Sequence, residues 1–233
     1  MRRARRTGDT VYRVYGWSRP TVSLGRNQIA RGRYDVERAR AQGIDFVRRP
    51  TGGRAILHHR EITYSVVAPV EAFGSLRESY RAINRLLLEA LRTLGVDARE
   101  AEVSTRAPVP GVAPCFEAPV AGEVVAGGRK LVGSAQVRDG GAFLQHGSIL
   151  IDDDQHLLST LLDEPQPMPS PATIRALIGR AVTPDEFAKA LSGALCASDG
   201  VQPQPLELEE SLNANVQLLV RTRYAAAAWT WRR

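Results

Sequence analysis

The chain has 233 residues, of which 43% are hydrophobic and 24% charged, enough apolar surface for a continuous core and too much for intrinsic disorder. Its apolar runs fall well short of the ~18 residues of a membrane span. The charged start Met1–Arg6 is not followed by the apolar stretch of a secretory leader. Two cysteines cannot make a disulfide framework, so a reducing cytoplasm is the expected location. The net charge of +6 suits an acidic protein partner. Nucleic acid is not expected, because aromatics are only 6% and no reading motif is present.

In chain order, residues 11–17 and 20–25 predict two short strands split by Ser18-Arg19-Pro20. Asp35 is placed to cap a short helix ending at Gly43. Residues 44–49 and 61–68 predict further strands, with the Pro50–Ala55 loop between them. The strongest helix signal is 76–94: Ser75 and Glu78 have capping-box spacing, Gly95 closes the far end, and Leu76, Tyr80, Ile83, Leu87, Leu91 and Leu94 share one face. A Pro/Gly-rich loop, 105–114, leads to Cys115. Gly127-Gly128 and Asp139-Gly140-Gly141 predict the turns of an antiparallel meander ending near Ile151. Asp152 or Asp153 is expected to cap a short helix through Leu162.

Composition shifts at Glu164–Pro171, which predicts a boundary between a catalytic domain, 1–163, and a helical C-terminal subdomain, 170–233. Ser170-Pro171 and Thr183-Pro184 both read as an N-cap followed by Pro at the first helical position. Mixed, largely antiparallel strands flanked by helices indicate an α+β fold.

Three features could carry chemistry. Cys115, in Ala-Pro-Cys-Phe-Glu-Ala-Pro, is either a small buried hydrophobe or a loop-borne nucleophile. Lys130 stands out because 29 of the 31 basic residues are arginine, the other lysine being Lys189. An amine differs from a guanidinium as a compact charge able to favour a thiolate, though a solvated surface lysine is the alternative. The run Arg49-Pro50-Thr51-Gly52-Gly53-Arg54-Ala55 lets backbone N–H groups approach a ligand oxygen closely, but lacks the spacing of a P-loop or dinucleotide fingerprint. His58, His59 and His146 are candidates for a Cys–His dyad or satisfied structural residues. Cys196 falls off the apolar stripe of its helix and reads as a bystander. No Cys/His group has zinc-ligand spacing.

The ordered motifs RRPTGGRAILH, EITYSVV, CFEAP, GRKLVGSAQVR and LQHGSILI resemble the lipoate-protein ligase and octanoyltransferase superfamily, as do the opening RVYGW…PTVSLGRNQ and the closing RYAAAAWTW. Cys-Phe-Glu-Ala-Pro followed by Gly-Arg-Lys resembles the LipM-type octanoyltransferases in particular. The resemblance implies the mixed sheet shared with biotin protein ligase and class II synthetases. It implies a cysteine acyl acceptor, falling on Cys115, and a lysine that lowers its pKa, falling on Lys130. Arg49, Thr51, Gly52, Gly53, Arg54, Ala55 and His58 would then line the acyl pocket. Gly133, Ser134, Ala135 and Gln136 would form the adjoining wall, with His146 and Gly147. The implied partners are octanoyl-acyl carrier protein as donor and the lysine of a lipoyl domain, such as that of the glycine-cleavage H protein, as acceptor, with no cofactor, metal or ATP. Three departures stand out. An Arg-rich start of ten residues takes the place of a further N-terminal strand and helix, His59 stands where many relatives have Asp, and Val120 lies where an aromatic segment is usual. The rival readings are an ATP-dependent lipoate-protein ligase, an amidotransferase moving octanoyl between lipoyl domains, and a homologue that binds lipoyl domains without turnover.

Overall fold

The computed structural model describes residues 1–101, 122–165, 168, 170–207 and 210–233. The Arg-rich start forms helix α1 (Arg2–Thr7), followed by β1 (Val11–Tyr15) and β2 (Thr21–Leu24). Helix α2 (Val36–Ala41) is capped by Asp35, whose side chain accepts the Arg38 N–H. Strands β3 (Asp45–Arg48), β4 (Ile56–His58) and β5 (Glu61–Pro69) come next, then the long helix α3 (Leu76–Thr93), whose Ser75/Glu78 capping box is present as expected. Strands β6 (Arg99–Glu100), β7 (Val124–Ala126), β8 (Arg129–Lys130), β9 (Val132–Asp139) and β10 (Ala142–Leu150) complete the sheets. Helices α4 (His156–Thr160), α5 (Ile174–Ile178), α6 (Pro184–Asp199), α7 (Glu210–Leu219) and α8 (Ala227–Thr230) follow. Among the described residues no helix is long and apolar enough to cross a membrane.

The main sheet is antiparallel with order β1-β5-β10-β9; β3-β2-β4 and β6-β7-β8 form two smaller sheets. The β2–α2–β3 unit contains a parallel pair, so the α+β expectation holds with one mixed sheet. Period-2 alternation divides the main sheet into two unlike faces. On one face Ile62, Tyr64, Val66 and Ala68 of β5, with Phe143 and Ile149 of β10, pack under α3 and α6. Ile83, Leu87 and Leu91 of α3 are at most 1% exposed, worth roughly 1.5–3 kcal/mol apiece. The same cluster includes Ile174 of α5 and Phe187 of α6, so these helices complete the sheet's core. The opposite face carries Thr63 and Ser65 of β5, His146 and Ser148 of β10, and Gly133 and Ala135 of β9, which the strand pairing sets side by side. That polar face looks towards β4 and the glycine loop.

Two local expectations are corrected. Helix α4 starts after Gln155, with no side-chain cap: Asp153 accepts only the Gln155 N–H, so neither Asp152 nor Asp153 caps it. The cap of α5 is Thr173, which accepts the Ala176 N–H, rather than Ser170. Strand β4, Ile56–His58, lies just past the Pro50–Ala55 loop, where the sequence predicts no element. The Thr183-Pro184 start of α6, with a full capping box to Glu186, is as expected.

Candidate active site

The glycine loop is organised by two buried arginines. Arg49 donates from Nη1 to Ser23 O at 2.6 Å and from Nη2 to Gly52 O and Arg54 O at 2.8 and 2.7 Å. Arg48 is fully buried and donates to Gly25 O, Gln28 O and Thr230 O at 2.6–2.8 Å. The loop lies hard against the end of β2: a side chain on Gly25 would begin 1.9 Å from Gly53 O. Gly53 itself has φ +91°, a conformation open to glycine and rarely to other residues.

Between this loop and the polar face of the main sheet lies a narrow cavity of about 40 Å³, lined by Arg49, Gly53, His58, Gly133, Ala135 and His146, with Ile56, Thr63, Ser134, Gly147 and Ser148 completing it. That is little more than one water's share of liquid volume, ~30 Å³. Thr51 Oγ1 joins the loop to β10, 2.7 Å from His146 Nε2. Burial, with Arg49 and His58 close by, pushes the His146 imidazole down to about 3, so it is neutral at pH 7.

At the inner end a carboxylate gathers donors. Glu61 Oε1 accepts from Ser148 Oγ at 2.9 Å, from Thr63 Oγ1, and from His58 Nδ1 at 2.8 Å. Trp17 Nε1 donates to Thr63 Oγ1 at 2.8 Å, and its ring stacks on the His58 imidazole with centroids 4.3 Å apart and planes 9° apart. Glu61 is 3% exposed, and among the described residues its Oε2 has no hydrogen-bond partner. Neither Glu61, Thr63, Ser148 nor Trp17 stands out in the sequence as a site residue. The one hint is a charged Glu opening an otherwise uncharged strand.

Behind the sheet, Tyr64 Oη and Ser134 Oγ are 2.7 Å apart, and Gln145 Nε2 donates to Tyr64 Oη at 2.9 Å. Gly147 makes room for this pair: a side chain there would begin 2.4 Å from Gly133 O, 2.7 Å from the Tyr64 ring and 2.9 Å from Ser134 Oγ. Gln136 belongs to this side, donating to Gln145 Oε1 and Ser79 Oγ at 2.8 and 3.2 Å. Ala55 packs into the core around the second sheet. The structure thus brings Arg49, Thr51, Gly53, His58, Gly133, Ser134, Ala135, His146 and Gly147 together. Gly52 and Arg54 serve through their carbonyls, and Gln136 and Ala55 face elsewhere.

Cys115 lies outside the described residues. Lys130, on the far strand of the Gly127-Gly128 hairpin, is 5% exposed rather than solvated, with Nζ 2.7 Å from Glu123 Oε1. His59 pairs with Asp154 at 2.8 Å, and Lys189 is exposed on α6. Among the described residues no group of three or more His, Cys, Asp or Glu side chains could hold a metal ion.

The sequence is similar to curated proteins along almost its whole length. Octanoyltransferase LipM of Kyrpidia tusciae is 40% identical over 239 residues, covering 95% of this chain and 86% of that protein. Octanoyltransferase LipM of Bacillus subtilis is 35% identical over 241 residues, covering 96% and 87%. Among solved structures, lipoate-protein ligase A bound with ATP superimposes with a TM-score of 0.77 at 25% identity, covering 98% of this chain and 90% of that one. The bi-partite lipoate protein ligase of Thermoplasma acidophilum does so with 0.75 at 23%, covering 97% and 85%, a likeness of fold. The model of the lipoyl protein ligase A/B catalytic domain matches residues 1–196, and with these relatives it shows that the chain belongs to that family.

Proposed function

We propose that the chain transfers octanoyl from acyl carrier protein to the lysine of a lipoyl domain, such as that of the glycine-cleavage H protein, through a thioester on Cys115. The observation that carries this reading is the likeness to curated octanoyltransferases over 95% of the chain, with identities up to 40%. The relatives make it an acyltransferase of lipoate biosynthesis. The cavity supports the reading by chemistry: its walls at Gly133, Ala135 and the glycine loop are small and largely apolar, as an alkyl chain requires.

In this mechanism the Cys115 thiolate attacks the donor thioester, backbone N–H groups of the glycine loop steady the oxyanion, and the carrier thiol leaves. Lys130, a buried ammonium already paired with Glu123, is the cation that favours the thiolate. A lysine amine then takes the acyl group as an amide. Thioester to thioester is nearly neutral in energy and thioester to amide runs downhill, so ATP is not required. The +6 net charge favours encounter with acidic carrier and lipoyl domains.

The test is the intact mass after incubation with octanoyl-acyl carrier protein without ATP. One added octanoyl group, absent in Cys115→Ala and discharged by a lipoyl domain, is the expected result. Lipoyl-domain modification that needs free acid and ATP would make the chain a ligase instead. Silence in both assays would leave a binding-only homologue. Lys130→Arg is expected to slow acylation at least tenfold at neutral pH, because a guanidinium cannot reproduce the compact ammonium; an unchanged rate removes Lys130 from the mechanism.

A further inference from the structure

We propose that His58 and Glu61 form the proton-accepting pair for the second half of the transfer: His58 Nε2 takes the proton from the acceptor amine, and Glu61 holds the imidazole in the required tautomer. The proposal rests on the transfer reading above and adds a base to it.

Amide formation has a proton to dispose of. The neutral lysine nitrogen forms a bond to the thioester carbonyl carbon and becomes positively charged. It must lose one N–H proton before the C–S bond breaks, or the amine is simply expelled again. The sulfur then leaves as a thiol, so the proton lost by nitrogen ends on sulfur and the atoms balance. A base with a lone pair on the acyl cavity is therefore required, and it must hand the proton back within the same turnover.

His58 meets that description. It lines the cavity, and its Nδ1 is committed to Glu61. A carboxylate accepts only, so Nδ1 carries the hydrogen and Nε2 keeps its lone pair. Nε2 has no hydrogen-bond partner among the described residues. The ring cannot turn away: Trp17 stacks on it, and Ser148 and Thr63 hold the same Glu61 oxygen, Oε1, that faces Nδ1. When Nε2 takes a proton, the buried carboxylate 2.8 Å from Nδ1 stabilises the imidazolium. This is the division of labour of a carboxylate and imidazole behind a nucleophile. A purely structural glutamate would use both oxygens, since a buried unpaired acceptor costs about 1–3 kcal/mol. Glu61 instead leaves Oε2 unpaired among the described residues, at 3% exposure.

Among the described residues, the other titratable groups lining the cavity are Arg49 from the glycine loop and His146 from β10. Arg49 stays charged, and His146 titrates near 3, well outside the range where an ordinary histidine changes charge. His59 is held by Asp154.

The test separates loading from discharge. Enzyme is acylated with an octanoyl thioester and followed by intact mass, then mixed with a lipoyl domain in single-turnover mode. In Glu61→Gln, which keeps an oxygen for Thr63 and Ser148 but loses the charge, discharge is expected to fall at least tenfold more than loading. The histidine inflection of its discharge rate should move to lower pH, because removing an anion beside an imidazole lowers its pKa. In His58→Ala, added imidazole should restore discharge and leave loading alone, the vacated slot under Trp17 being the size of that molecule. Equal effects on loading and discharge, or an inflection unmoved in both variants, overturns the proposal while leaving the transfer reading intact. Wild-type enzyme that takes up no acyl group overturns the transfer reading, and this proposal with it.

Discussion

Acid sensitivity follows from His146. In the unfolded chain its imidazole titrates at 6.5; in the fold, burial and the neighbouring Arg49 and His58 bring it to about 3. Between those values the unfolded state binds a proton that the folded state does not, so folding stability falls as pH drops. The two pKa values give a loss of ~1.9 kcal/mol between pH 7 and pH 5 from this residue. At pH 5 the folded ring is already neutral, so the figure hardly depends on where near 3 it titrates. Urea unfolding of the wild type and of His146→Gln, each at pH 7 and pH 5, isolates the contribution, because every other titrating group is common to both. The variant is expected to lose ~1.9 kcal/mol less than the wild type over that interval. A double difference below ~0.5 kcal/mol would mean that the folded cavity accepts a proton on His146, and the reasoning from its burial would be wrong.

Three further substitutions probe the site's frame. Gly147→Ala drives a methyl to within 2.4 Å of Gly133 O and into the Tyr64–Ser134 contact, and should cost about 2–4 kcal/mol, the sum of overpacking and one disturbed hydrogen bond, with a Tm lower by roughly 2–4 °C per kcal/mol. Gly52→Ala is its control: nothing lies within 4 Å of the added atom, so calorimetry should place it within ~1 kcal/mol of the wild type. Arg48→Met strips the carbonyls of Gly25, Gln28 and Thr230 of their common donor and should cost about 3–5 kcal/mol in urea unfolding, as removal of one partner from a buried charged network does. A cost under ~1 kcal/mol would show that the guanidinium is replaceable by apolar contact.

What could be read from the chain was what local physics dictates. Ser75 with Glu78 and Thr183 with Glu186 announce their helices because a capping box is complete within four residues. The Gly127-Gly128 turn is legible for the same reason: both residues take positive φ. The glycine loop and the Gly133–Ala135 and His146–Gly147 segments were legible as a site through the resemblance, and strand pairing brings them to one cavity. The Glu61 cluster was not, because Trp17, Glu61 and Ser148 are ordinary strand-end residues until β5 and β10 pair and set residues 87 apart in sequence within hydrogen-bond reach. Strand β4 was hidden because its three residues, Ile56–His58, are too short to show a period and pair with β2 rather than with a sequence neighbour.

The Arg48 clamp has a consequence for synthesis. Its guanidinium closes on Thr230 O, and Trp229 Nε1 donates back to Arg48 O, contacts across 182 and 181 residues. Contacts so distant form late, since the intervening chain must be made and ordered first. On the ribosome, strand β3 emerges long before the segment that satisfies it, and its neighbour Arg49 shapes the glycine loop. A nascent chain should therefore carry an unfinished pocket through most of translation, with a buried cation waiting for its last acceptors. The Arg48 clamp beside the glycine loop is complete only when residues 229–230 arrive, which makes closure of this clamp a late event in folding.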